Sequence, residues 1–457
     1  MKIFPNLYPE FRVVPVPTRY RYRTGDQALV RQINLSVIMH YLRENAPISR
    51  ASLAEMTGLN KTTVSSLVSE LIERQFVREV GLESPGSGKV AGRRAMMLAL
   101  YPEAGYIVSC EIGVDFISVI CTNFAPEIIW RHNEMIDPGM GQRVIIERTL
   151  ALLHLAVEAG LKCCNNFLGV AVGVPGLVDQ ESGDLLFAPN LGWKDIPLLS
   201  FLQESIAAPV VVDNDAKLAA LGEHYFGAAQ GYNEVLYISA GVGLGGGIVH
   251  NGSLFSGSTG VAGEFGHMTM VPSGELCSCG NRGCWETLVS QKALFRDIRR
   301  EIKSGRDSLL IELTNGNLDR LTVPIIVEAA NQNDDLTLET LEKIGQHLAI
   351  GISSLVNGLN PELVVIGGIL SLAGEYLLPI VQAELDKRAF RWNRKATKVV
   401  IARHGFDACI MGGVAKIYQD ILAEPDNVER QGTIVLPVQS LDLATHLIRK
   451  EVKERSE

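Results

Sequence analysis

The chain has no apolar run at its start, and its cysteines are few. Residues Met1 to Arg23 mix Pro, Tyr and Arg without an apolar core segment, which excludes an ordinary secretory signal and points to a cytoplasmic protein. Eight cysteines in 457 residues are too sparse for a disulfide scaffold. No charged residue occurs from Val235 to Gly263, a length that raises the question of a membrane span. The glycines of that stretch, with Asn251, Ser253, Ser256, Ser258 and Thr259, argue instead for turns and a ligand loop, so no membrane partner is expected. No short-period repeat or low-complexity tract is present either.

What remains is a long chain with ample apolar content, enough for two or three domains rather than one core. Its charge is uneven. Residues 1–100 carry 14 Lys and Arg against 8 Asp and Glu, a balance of +6, so the rest must hold −15 to reach the total of −9. A basic head on an acidic body suits a polyanionic partner for the head alone.

The head has the pattern of a winged helix-turn-helix. Apolar Leu29, Ile33, Val37, Ile38, Tyr41 and Leu42 give helical spacing from Asp26 to Asn45, stopped before Pro47. Ser49 can cap a second helix, Arg50 to Thr57, which Gly58 ends, and Asn60 can cap a third with the stripe Val64, Leu67, Val68, Leu71 and Ile72. The third helix turns Lys61, Thr62, Ser65, Ser66 and Ser69 away from that stripe, as a recognition helix in a major groove would. Phe76 to Val80 and Met96 to Leu100 read as a hairpin. Its glycine-rich tip brings Lys89, Arg93 and Arg94 within reach of phosphates or a minor groove. Double-stranded operator DNA is the implied partner, read by a homodimer or homotetramer because operators are usually symmetric.

Beyond residue 101, short apolar strands (Tyr106 to Cys110, Leu168 to Val172, Val210 to Asp213, Val235 to Ser239, Leu363 to Ile366) alternate with helical stretches (Gln142 to Ala159, Leu338 to Leu359), which is an α/β body. The tail after Ala423 carries Leu441, Ala444, Leu447, Ile448 and Val452 on one helical stripe, a packing or dimer strap. His267, Cys277, Cys279 and Cys284 fall within eighteen positions. Such ligands suit tetrahedral Zn2+, and four protein ligands leave no position for an activated water, so the metal is read as structural.

Together with that His-Cys-Cys-Cys run, five motifs resemble the ROK family of repressors, open reading frames and sugar kinases. They are Gly173-Val-Pro-Gly176, Pro189-Asn-Leu191, Asn214-Asp215-Ala216, the loop Gly241 to Gly247, and Asn360 to Gly368. The resemblance covers roughly residues 25–418. It implies a two-lobed actin-like and hexokinase-like (ribonuclease H-like) body at 102–423, with lobe one at about 102–215 plus 405–423 and lobe two at about 216–404. The winged helix-turn-helix would occupy 25–101, between an N-terminal extension of 1–24 and a tail of 424–457. It also implies a monosaccharide or derivative in the cleft, lined by Asn190, Asn214, Asp215, Glu264, His267 and Glu286, with His267 acting as metal ligand and pocket wall at once.

Two functions follow from the same resemblance, a sugar-responsive regulator or a sugar kinase with an accessory DNA-binding head. Family kinases carry Asp-x-Gly-x-Thr after their first strand, where this chain has Glu111-Ile-Gly113-Val-Asp115 followed by Phe116. Asp115 sets like charge against a nucleotide's phosphates. The head and the altered loop favour the regulator, a sugar-kinase homologue without catalysis; Asp215 would be the base if the body were a kinase.

Overall fold

The computed structural model describes residues 27–82 and 94–423. The extension, the tail, and the wing residues Lys89 and Arg93 lie outside them.

The head opens with α1 (Gln27–Asn45), then β1 (Ile48–Ser49), α2 (Arg50–Thr57) and α3 (Lys61–Glu73), and closes with β2 (Val77–Leu82) and β3 (Met96–Leu100) in a three-stranded sheet ordered β1-β3-β2. The caps are those the sequence suggests: Ser49 Oγ accepts from Ser52 N at 3.1 Å and Asn60 Oδ1 from Thr63 N at 2.7 Å. Gly58 ends α2 at φ +70°, where a side chain would be strained. Val64, Leu67, Val68 and Leu71 are buried on α3. The buried face of α1 is Leu35, Ile38, Met39 and Leu42, whereas Ile33 is 52 % exposed. The expected α1 stripe is therefore displaced: its buried residues begin only at Leu35.

The first body sheet takes β4 (Tyr106–Ile112), β5 (Phe116–Asn123), β6 (Ile128–Met135) and, after α4 (Gln142–Leu161), β7 (Phe167–Val174). A small antiparallel sheet of β8 (Leu177–Val178), β9 (Leu185–Ala188) and β10 (Trp193–Ile196) follows, then α5 (Leu198–Ser205) and β11 (Val210–Asn214). The large sheet runs β11-β7-β4-β5-β6, parallel between β4, β7 and β11. β7 is buried at every position, as a parallel strand covered on both faces should be.

Helix α6 (Asp215–Phe226) leads into a second sheet ordered β14-β13-β12-β15-β16, from β12 (Val235–Ala240), β13 (Leu244–His250), β14 (Ser253–Leu254), β15 (Leu363–Gly367) and β16 (Lys398–Ile401). Between β14 and β15 lie α7 (Glu286–Val289), α8 (Gln291–Lys303), α9 (Leu309–Leu313), α10 (Val323–Asn331) and α11 (Asp335–Leu359). Helices α12 (Gly374–Arg388) and α13 (Arg391–Ala396) precede β16, and α14 (Ala408–Ala423) follows it.

The glycine-rich stretch is sheet as much as loop. Gly245 and Gly247 sit in β13, where a Cβ would come within 2.8 Å of Ala216 Cβ and 2.5 Å of Ala220 Cβ. Their lack of side chains lets α6 lie against the strand. No described helix is long and apolar enough to cross a membrane.

One apolar cluster joins head to body. Leu35, Ile38, Met39 and Leu42 of α1 share it with Leu221 and Tyr225 of α6 and with Ile410, Val414, Tyr418 and Ile421 of α14.

Candidate functional site

Asn190, Asn214, Asp215, Glu264, His267 and Glu286 all line one cavity of about 1090 Å³, which also reaches Glu111, Gly113, Asp115 and Phe116. The strand-to-helix junction at β11 and α6 places two of them. Asn214 caps α6, its Oδ1 accepting from Lys217 N at 3.1 Å, while its Nδ2 donates to Gly176 O at 3.0 Å. Both halves of the amide are thus fixed. Asp215 follows as the first residue of the helix, with Oδ1 accepting from Ala216 N at 2.8 Å.

The opposite wall comes from the short 3-10 turn Phe265–His267 and from α7. Glu286 Oε1 accepts from Cys277 Sγ at 2.9 Å and from Ser278 Oγ at 3.2 Å. A Cβ on Gly243 would lie 2.8 Å from Glu286 Oε2 and 2.9 Å from Asn190 Nδ2, so glycine there keeps both groups facing the cavity. Burial, and then repulsion from Asp215, push the Glu264 carboxyl up to about 7. Asp215 is raised as well, chiefly by burial. Carboxylates crowded this way accept well from hydroxyl groups, and they repel an anion.

One ligand atom each from His267, Cys277, Cys279 and Cys284 lies within 4.8 Å of the others. Cys279 Sγ is 3.7 Å from Cys284 Sγ, and Cys277 Sγ is 3.6 Å from His267 Nδ1. A zinc tetrahedron with Zn–S bonds of about 2.3 Å puts its ligand atoms roughly 3.5 to 3.8 Å apart, so these side chains fit the ion. The imidazole has two faces: Nδ1 lies on the thiol side, and Nε2 is 3.9 Å from Glu264 Oε2 in the cavity wall.

At the cavity's other end the loop after β4 is closed by its own backbone. Gly113 N donates to Phe116 O at 2.8 Å, and the Phe116 ring lies where a Gly113 side chain would be, 2.3 Å from the Cβ position. The amide is used and the surface covered. Arg131 makes a two-pronged bond to Asp407, at 2.8 and 2.6 Å, along the same wall.

Glu111 stands beside Cys409 on this side of the cavity, its carboxyl pushed up to about 8 by burial and then by Asp215. In the unfolded chain the group returns to an ordinary value near 4.5, so from about 4.5 to 8 the folded state holds a proton that the unfolded state releases. Stability falls as pH rises through that window. Glu111→Gln is expected to melt with the wild type at pH 5 and above it at pH 8. Melting curves that stay parallel across that range would contradict this.

On the head, Lys61, Thr62, Ser65, Ser66 and Ser69 are exposed on one side of α3, and Arg94 is exposed just before β3. Sequence reasoning missed Lys292, whose Nζ donates to Asn190 Oδ1 at 2.7 Å. It also missed buried Lys217, which donates to Gly260 O. No local pattern marks either, because their partners lie 102 and 43 residues away.

The comparisons with known proteins bear on this architecture directly. Residues 107–420 match the ROK family, and residues 34–78 match the winged helix-turn-helix DNA-binding family. The xylose repressor of Caldicellulosiruptor bescii is 34 % identical over 402 residues, 88 % of this chain and 99 % of that protein. Among solved structures, a ROK family transcriptional regulator, a homologue of the E. coli MLC protein, superposes with a TM-score of 0.72 at 26 % identity, covering 86 % of this chain and 97 % of the other. A ROK family glucokinase from Streptomyces griseus, in complex with glucose and AMPPNP, gives 0.62 at 31 % identity over 68 % of this chain and 98 % of its own. With a family match over more than half its length and a cavity built from the family's motifs, this chain belongs to the ROK family.

Proposed function

We infer that the protein is a sugar-responsive transcriptional repressor, which binds operator DNA through the head and a monosaccharide or derivative in the cavity. The observation that carries the reading is one chain holding both a winged helix-turn-helix and a ROK cavity lined by Asn190, Asn214, Asp215, Glu264, His267 and Glu286. The Caldicellulosiruptor relative, alike in both parts, is named a xylose repressor, so D-xylose is the first sugar to try. Crowded carboxylates favour a neutral polyol over a sugar phosphate.

The body binds without phosphorylating. In support, the Gly113 amide is occupied by Phe116 O, the Phe116 ring covers it, and Asp115 adds negative charge where nucleotide phosphates would lie. The glucokinase relative gives the alternative of a kinase its weight. Titrating D-xylose and glucose into operator-bound protein, with and without ATP, separates the two. A shift in operator affinity with no ADP release supports the repressor, whereas sugar-dependent ADP release at an enzymatic rate refutes it.

Zinc held by His267, Cys277, Cys279 and Cys284 is structural in this reading, since all four positions of a tetrahedron are filled by protein. DNA is read by Lys61, Thr62, Ser65 and Ser66, with Lys89, Arg93 and Arg94 on phosphates or in a minor groove, and the chain acts as a homodimer or homotetramer in the cytoplasm. Arg93→Ala with Arg94→Ala should weaken operator binding and flatten its salt dependence by about one to two ion equivalents. An unchanged slope of affinity against salt would remove the wing from the interface.

A further inference from the structure

Helix α6 begins in the cavity and ends against the DNA-binding head. Asn214 and Asp215 stand at its first turn, and Tyr225 and Phe226 at its last, about 18 Å along at a rise of 1.5 Å per residue. There Arg43 of α1 lies over the Tyr225 ring, 4.1 Å from its centroid. The Arg43 side chain is 11 % exposed, and its ion pair is with the neighbouring Glu44, which is itself largely exposed. Glu44 adds no tie between head and body.

This junction is apolar in its packing and poorly satisfied in its polar groups. Beside it the Tyr418 ring meets Phe124 tilted at 45° and Phe226 edge-on at 66°, with centroids 5.1 and 6.3 Å apart. Among the described residues, Arg43 Nε and Nη1, His224 Nδ1 and Tyr418 OH are buried without a hydrogen-bond partner. Leaving such groups unpaired costs free energy on the docked side that water would return on opening. A face built this way holds the head by ring and apolar contact while remaining easy to shift.

The helix is also stiffly mounted. A Cβ on Gly222 would lie 2.4 Å from Ala408 O, and one on Gly412 would lie 1.7 Å from Leu218 O, so α6 and α14 touch through their backbones. Buried Glu223 accepts from Ala228 N at 2.7 Å, Arg403 N at 3.0 Å and His404 N at 2.7 Å, which ties α6 to the segment returning from β16. Lys217 anchors the first turn to Gly260 O in the second sheet's loop. Displacement at Asp215 therefore passes along α6 rather than being absorbed within it.

We propose that Arg43 is a positioning residue for effector response: a sugar seated on Asn214 and Asp215 moves α6, and the Arg43–Tyr225 contact turns that movement into a reorientation of the head. The proposal rests on the sugar-responsive reading above. The junction supplies one requirement of coupling, a packed element reached by both sites; the second arrangement of the head is what the test below reads.

The test uses full-length protein, D-xylose as probe, and an operator duplex selected by the wild type from a random pool. Xylose binding is read by calorimetry and operator affinity by anisotropy, each for wild type, Arg43→Met, Tyr225→Leu, the double variant and Arg43→Lys. Wild type should change its operator affinity about 5- to 150-fold with xylose. Arg43→Met and Tyr225→Leu should each bind xylose within about threefold of wild type and respond by less than about twofold. The double variant should lose no more than either single one, since both remove the same contact. Arg43→Lys, which keeps a cation over the ring, should restore much of the response. If either single variant that still binds xylose keeps the wild-type response, Arg43 does not couple the sites. If wild type binds no sugar or ignores it, the sugar-responsive reading falls first, and this proposal with it.

Discussion

Cys279→Ser is expected to strip the metal and the sugar response together. Cys279, Cys284, Cys277 and His267 close one cluster, and two of its members are also attached to the cavity. Cys277 Sγ stands 2.9 Å from Glu286 Oε1, beside Ser278 Oγ, which donates to the same oxygen at 3.2 Å, and His267 presents Nε2 to Glu264 Oε2 at 3.9 Å. Serine offers a harder and less readily ionised ligand than a thiolate, so zinc occupancy should fall from one per chain to below about half. With the cluster open, His267 and Glu286 lose their orientation, and sugar affinity should drop at least tenfold, about 1.4 kcal/mol. The head shares its apolar cluster with α6 and α14, not with this loop, so sugar-free operator binding should survive. Elemental analysis and calorimetry on the same preparation give the answer. Full zinc in Cys279→Ser would reject the ligand assignment, and lost zinc with unchanged sugar affinity would reject its structural role.

Much of this was legible in the sequence wherever the signal is local. Ser49 and Asn60 sit directly before helices and cap them, and Gly58 stops one at a positive φ. The cysteine spacing survives as a cluster because Cys277 to Cys284 form a single tight loop, with Cys277 N donating to Asn281 O at 2.8 Å. Signals that depend on tertiary placement were not legible. Gly245 and Gly247 read as turns and a ligand loop because periodicity cannot show that α6 lies against β13 there. Lys292 of α8 meets Asn190, in the turn between β9 and β10, only through the tertiary fold. Ile33 fits a helical stripe, yet the buried cluster shared with the body takes α1 only from Leu35 onward. The closing of the loop after β4 by Phe116 was half visible: its bulk could be read from the sequence, its hydrogen bond from Gly113 could not.

Glu264→Ala is expected to abolish the sugar effect while leaving sugar-free operator binding near wild type and the fold no less stable. The residue shares the cavity with Asp215 and Glu286, and burial together with those neighbours raises its carboxyl to about 7. A group held against such crowding destabilises the empty protein, most of all above pH 7 where it would be ionised. Removing it relieves that repulsion, so the melting temperature should hold or rise at pH 8. A sugar hydroxyl bonded to a charged acceptor is worth about 1.5 to 3 kcal/mol, which predicts a loss of sugar affinity of roughly 10- to 150-fold. Stability retained with response lost is the mark of a residue kept for function rather than for packing. A purely structural Glu264 would show the reverse, a lower melting temperature with the sugar response intact in whatever protein remained folded. Thermal melts at pH 5 and 8, beside anisotropy titrations with and without D-xylose, read both quantities from one variant, and a full effector response in Glu264→Ala would remove it from the sugar site.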